Sequence, residues 1–235
     1  MPARSQSAAI AQDAPPALSA EERSFALSKL LVTLTPGVNA AAEAMRALRT
    51  YIMAQHLEKG RRALAVCAAT PEVGCTAVAA NLAVAMSQIG VKTLLVDANL
   101  RFPGVDSLFR PSTPGPGLEQ CLSHPDTGFG DYIEEDVLPN LSIMFAGGRP
   151  ANPQELLAMQ RFEDLVNFCL REYQMTIFDT PPANVCSDGR RVSTVAGYSL
   201  VLGRRNKSLV NDIRTLVAQL ESERAHVVGT VLTEG

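Results

Sequence analysis

Three short runs carry the residue types that phosphate chemistry requires. The first is Ala69-Thr70-Pro71-Glu72-Val73-Gly74-Cys75-Thr76. Its frame is that of a phosphate-binding loop: a small residue, four residues, Gly, one residue, Thr. Such a loop uses glycine for close backbone approach, lysine for the outer phosphates, and a Thr hydroxyl as magnesium ligand. The amino end of the helix that follows favours anions. Gly74 and Thr76 are in place, and Cys75 holds the lysine position. Glu72, Val73, Gly74, Cys75 and Thr76 are therefore the candidate phosphate contacts. The other two runs are Asp97-Ala98-Asn99-Leu100-Arg101-Phe102-Pro103 and Asp179-Thr180-Pro181-Pro182. A carboxylate at the end of an apolar strand can hold magnesium directly or through water, so Thr76, Asp97 and Asp179 are the metal candidates. Each run alone is weak, because Asp at a strand end is often a turn residue. The three together, in this order, are a fold signal.

The elements that must position these runs are legible in the apolar pattern. Ala41, Met45, Leu48 and Ile52 recur at helical spacing before Gly60. ALAVCAA (63–69) reads as a strand, TAVAANLAVAMSQIG (76–90) as a helix, and KTLLVDAN (92–99) as a strand. After a Pro/Gly-rich stretch, NLSIMFAGG reads as a strand, and residues 153–173 as helical throughout. MTIFDTPP and SLVLGRR are further strands. Residues 208–223 form a helix with a core stripe of Leu209, Ile213, Leu216 and Leu220, and HVVGTVL is a last strand. Alternating helices and nearly continuous apolar strands predict a single α/β domain with a mostly parallel central sheet and helices on both faces, over residues 29–235. Ligands in such sheets sit beyond the carboxyl ends of the strands, where the three runs fall. Residues 1–28, rich in Ala, Pro, Ser and Gln, predict a disordered tail.

The chain has 21 basic and 24 acidic side chains in 235 residues, a net charge of −3 that argues against general nucleic-acid binding. No apolar run approaches the roughly 18 residues needed to span a bilayer. The amino-terminal sequence lacks the order of a secretory signal. Cys67, Cys75, Cys121, Cys169 and Cys186 show neither disulfide density nor paired metal spacing, and His56, His124 and His226 are scattered. A reduced, cytoplasmic setting is expected.

With these motifs, the chain resembles the bacterial tyrosine kinase family: cytoplasmic P-loop kinases that partner membrane polysaccharide copolymerases in capsule and exopolysaccharide production. The family's Asp-x-Asp-x-Arg maps onto Asp97, Asn99 and Arg101, which adds Asn99 and Arg101 to the nucleotide candidates. Its apolar-Asp-x-Pro-Pro maps onto Asp179, Pro181 and Pro182, followed by Ser187-Asp188. Asn-Pro-x-Glu-Leu-Leu is intact as Asn152 to Leu157, and Glu-x-x-Arg-x-x-Arg as Glu43, Arg46 and Arg49. By spacing alone that last trio would be a solvated helix face; the resemblance implies an oligomer contact.

The departures from the family pattern fall where catalysis should sit, which makes the loop a degenerate Walker A motif. Cys75 cannot supply the missing cation, since a thiol is a weak donor and a thiolate would add negative charge. An inert filler is the expected role of that thiol. Glu72 replaces a loop glycine and brings a carboxylate toward a polyanion. Asn99 lacks the charge of the family's second aspartate. Related ATPases place an asparagine near Thr233 to hold the base, and the four tyrosines here, Tyr51, Tyr132, Tyr173 and Tyr198, are scattered rather than gathered in a tail.

The resemblance and the departures together imply a kinase-like cytoplasmic partner of a membrane polysaccharide copolymerase of the Wzz-like, chain-length-determinant type. It would regulate synthesis, chain length or export of a surface polysaccharide, as a homo-oligomer held at the inner membrane through that partner. No confident catalytic residue follows, with Asp97 and Asp179 as vestigial candidates. ATP or ADP and magnesium are expected only if the loop still binds. Two alternatives stay open: an active ATP-dependent tyrosine autokinase with a rearranged site, and a partitioning- or septum-site-type ATPase, against which the intact Glu43/Arg46/Arg49 trio and Asn152–Leu157 run argue.

Overall fold

The computed structural model describes residues 24–35, 37 and 39–234. The tail expected over 1–28 therefore lies mostly outside the described residues. Its last part, 24–28, runs beside 108–112: Ala26 N donates to Arg110 O at 3.0 Å, Ser28 N to Leu108 O at 2.8 Å, and Phe25 stacks on Phe145.

The elements follow in the order α1 (Ala40–Gln55), β1 (Ala63–Ala68), α2 (Cys75–Ser87), β2 (Thr93–Asp97), α3 (Val105–Phe109), α4 (Leu118–Ser123), β3 (Glu134–Leu138), β4 (Leu141–Met144), α5 (Pro153–Ala158), α6 (Gln160–Glu172), β5 (Met175–Asp179), α7 (Asp188–Ala196), β6 (Tyr198–Arg204), α8 (Val210–Ser222) and β7 (His226–Thr233). The sheet order is β3-β4-β2-β5-β1-β6-β7. All neighbouring pairs are parallel except β3 with β4. β1, β2, β4 and β5 are buried at every position, because helices cover both faces: α1 to α3 pack on one and α4 to α8 on the other.

Local chemistry sets the element ends. Asn39 caps α1, its side chain accepting from Ala41 N at 2.9 Å. α2 is buried over almost its whole length. Asn81, buried within it, donates to the Leu30 and Ala77 carbonyls at 2.9 and 2.8 Å and accepts from Thr33 N and its hydroxyl, both at 3.2 Å. That amide ties the segment ahead of α1 to the core.

Two sequence expectations shift, and two elements go unread. The helix read over 153–173 breaks at Met159, whose ψ of 149° is extended, so α5 and α6 are separate. Leu209 stands before the first turn of α8 and is 66% exposed, whereas Leu216 and Leu220 are buried as expected. β3 and α7 carry too many polar residues to show an apolar period.

Candidate functional site

The carboxyl ends of β1, β2 and β5 converge, because these strands are sheet neighbours or nearly so. Asp97 on β2 stands directly opposite Asp179 on β5 in register. The loop leaving β1 reaches α2 through Gly74 at φ +95°. A Cβ there would meet nothing within 4 Å, so this position needs glycine for its left-handed backbone and not for space.

Thr76, in the first turn of α2, donates its hydroxyl to Asp179 Oδ2 at 2.6 Å. Asp179 Oδ1 is buried and has no hydrogen bond. Burial, and then the neighbouring Asp97, push the Asp179 carboxyl well above the ordinary carboxylate range. Asp97 Oδ2 accepts from Gly104 N and Val105 N, both at 3.0 Å, and Oδ1 accepts from Asn99 N at 3.2 Å. Burial outweighs these three N–H bonds and raises its carboxyl to about 6. Gly104 also lies close to Thr76, where a Cβ would come within 3.2 Å of the Thr methyl. Thr76, Asp97 and Asp179 thus form one packed cluster.

The other candidates divide. Asn99 lines the cleft, and its side-chain oxygen accepts from Phe102 N at 3.1 Å. Arg101 is turned onto the buried Asp188 at the start of α7, with Nε–Oδ2 at 2.7 Å and Nη2–Oδ1 at 3.3 Å, and does not line the cleft. Glu72 has φ +59°, and its carboxylate forms an ion pair with Lys207. The repulsive charge expected at Glu72 is therefore paired. Val73 is buried, with its carbonyl accepting from the Thr233 hydroxyl at 2.8 Å. Burial raises the Cys75 thiol well above its ordinary range. Lys207, Arg204 and Thr233 were not singled out for contact with this loop; they lie more than 130 positions from it, and no spacing rule links them.

The loop cleft holds about 350 Å³, and no Lys or Arg lines it among the described residues. Arg110 and Arg149 line a separate cavity of about 420 Å³ that shares only Asp97 with the cluster. The oxygen donors of Thr76, Asp97 and Asp179 suit a magnesium ion chemically, although no group of three or more His, Cys, Asp or Glu side chains converges among the described residues. A triphosphate fits less well, since the two cations that touch the loop, Arg204 and Lys207, are held by Glu72 and neither lines the cleft.

Glu43, Arg46 and Arg49 lie on α1, away from this cluster. Arg46 pairs with Glu43 within the helix, and Arg49 Nη1 donates to Ala85 O at 3.4 Å. Ala85 is nine residues beyond Thr76 on α2, roughly 14 Å at the helical rise, so Arg49 does not serve its own chain's loop.

No protein-family model matches the chain. It is 31% identical over 189 residues to the putative tyrosine-protein kinase EpsB of Ralstonia nicotianae, covering 80% of this chain and 25% of that protein. It is 28% identical over 194 residues to the putative tyrosine-protein kinase CapB of Staphylococcus aureus, covering 82% and 84%. The kinase domain of the Escherichia coli tyrosine kinase ETK superposes with a TM-score of 0.80 at 29% identity, over 87% of this chain and 79% of that one. The chain belongs to the bacterial tyrosine kinase family. It spans about a quarter of the length of the Ralstonia relative. The α/β architecture is that of the family's P-loop domain, with the sheet order and strand-end cluster described above. Among the described residues, no helix is long and apolar enough to cross a membrane.

Proposed function

We propose that this member of the bacterial tyrosine kinase family has lost or nearly lost phosphoryl transfer. We propose further that it works as a cytoplasmic partner of a membrane polysaccharide copolymerase, regulating synthesis, chain length or export of a capsule- or exopolysaccharide-type polymer. The observation that carries this reading is the loop cleft: Cys75 opens α2 where the family has lysine, and among the described residues no basic side chain lines the space. Phosphoryl transfer depends on positioning and charge neutralisation, so a cleft without a cation lacks the largest catalytic contribution.

The tyrosines support the same reading. Tyr132 and Tyr173 are buried, Tyr198 packs beneath Arg61 and against His56, and the exposed Tyr51 donates its hydroxyl to Val228 O at 2.8 Å. None is presented as a free phosphate acceptor. The Asn152–Leu157 run builds α5, with Pro153 and Leu157 buried, and the Glu43/Arg46/Arg49 face is intact on α1. Retained surfaces beside a stripped loop fit a protein kept for assembly.

The competing reading, an active autokinase, draws on Thr76, Asp97 and Asp179, whose oxygen donors cluster at the strand ends. Incubating the full chain with Mg²⁺ and labelled ATP separates the two. The expected result is no phosphotyrosine above background, together with co-purification with the copolymerase from cells that express both. Robust phosphotyrosine that disappears in Asp179→Ala would establish the enzyme instead.

A further inference from the structure

The phosphate loop is fastened to the ends of β6 and β7 by residues of this chain alone. Lys207, in the turn after β6, pairs with the Glu72 carboxylate. Arg204, the last residue of β6, donates through Nη1 to the Glu72 carbonyl at 2.9 Å. Thr233, the last residue of β7, donates its hydroxyl to the Val73 carbonyl at 2.8 Å. Glu72 sits in the left-handed region at φ +59°, which disfavours any residue with a Cβ, so its geometry must be held from outside. The contacts at 204 and 207 do that from both ends of the residue, carbonyl and carboxylate.

We infer that Glu72 is a charge-operated latch, whose carboxylate on Lys207 and carbonyl on Arg204 close the phosphate loop against the strand ends. The inference rests on the reading of residues 69–76 as that loop. While the latch is closed, both cations that touch the loop are engaged by the chain itself, and an anionic ligand must compete with Glu72 for them. Pairing with Lys207, and secondarily the charge of Arg204, holds the Glu72 carboxyl below the usual carboxylate range, so the latch stays charged at neutral pH.

The thiol of Cys75, partly buried three residues beyond Glu72, reports loop opening. The test is iodoacetamide labelling of the full chain, read at Cys75 by peptide mass spectrometry, with the partly buried Cys186 as internal reference. Glu72→Gln and Lys207→Gln are each expected to label Cys75 about fivefold faster, the scale of a solvent-exposed ion pair. The double variant should be no faster than either single, and the charge swap Glu72→Lys with Lys207→Glu should return to the native rate. Equal Cys75 rates in all variants, or a swap as fast as the singles, would overturn the latch. The degenerate-site reading fails separately: a native chain that binds Mg·ATP tightly, with Cys75 rates behaving as stated, removes that reading and leaves the latch standing.

Discussion

Asp97 and Asp179 show how a buried pair of strand-end carboxyls shapes stability. Between its ordinary 3.8 and about 6, folded Asp97 keeps a proton that the unfolded chain has released. Its contribution therefore declines as pH rises through that window, by at most about 1.4 kcal/mol per pH unit. Asp179 acts with the same sign. His56 acts oppositely: burial lowers it from 6.5 to about 4, partly offset by the Ala63 backbone, so its contribution is lost on acidification. Asp179→Asn keeps an acceptor for Thr76 and removes the buried acid. Thermal unfolding should place this variant above the native protein at pH 7.5, by roughly 2–4 °C per kcal/mol gained, and level with it near pH 4. A variant less stable at pH 7.5 would mean that the ionised carboxylate is favourable where it lies. At this scale the sequence revealed Gly74, Thr76, Asp97 and Asp179, because a strand followed by a spaced polar residue is a local pattern. The Glu72–Lys207 pair and the Arg101–Asp188 fork were not legible as contacts, since they join segments 135 and 87 positions apart.

Elements were readable where one physical signal dominated. β1, β2 and β5 are continuous apolar runs because both faces are covered, and α2 is apolar almost all round because it lies in the core. β3 carries Glu134, Glu135 and Asp136, and it escaped notice because it is an edge strand, paired on one side only with its middle residues exposed. The polar turns of α7 gave no helical stripe, although Val192 and Ala196 bury one of its faces. The segment ahead of α1 depends on Asn81, three of whose hydrogen bonds fix residues 30 to 33 on α2. Asn81→Ala leaves the Leu30 carbonyl and the Thr33 amide without that partner, at about 1–3 kcal/mol for a buried unmet group. Urea unfolding should show a lower midpoint with an unchanged slope. An unchanged midpoint would show that the segment is held by Leu31 and its apolar neighbours instead.

For the molecule as a whole, the proposed function is that architecture has outlasted chemistry. The sheet follows the fold of the kinase domain it superposes on, while the loop between β1 and α2 is held by its own strand ends and, among the described residues, has no Lys or Arg lining its cleft. A charged hydrogen bond is worth about 1.5–3 kcal/mol, roughly ten- to a hundredfold in affinity, so restoring the loop should be visible without any other change. The most direct measurement is calorimetric titration of the native chain and of Glu72→Gly with Cys75→Lys, each with ATP and Mg²⁺. The account predicts no measurable binding by the native chain and a gain of at least tenfold in the repaired one. Tight, stoichiometric binding by the native chain, with no gain on repair, would contradict it.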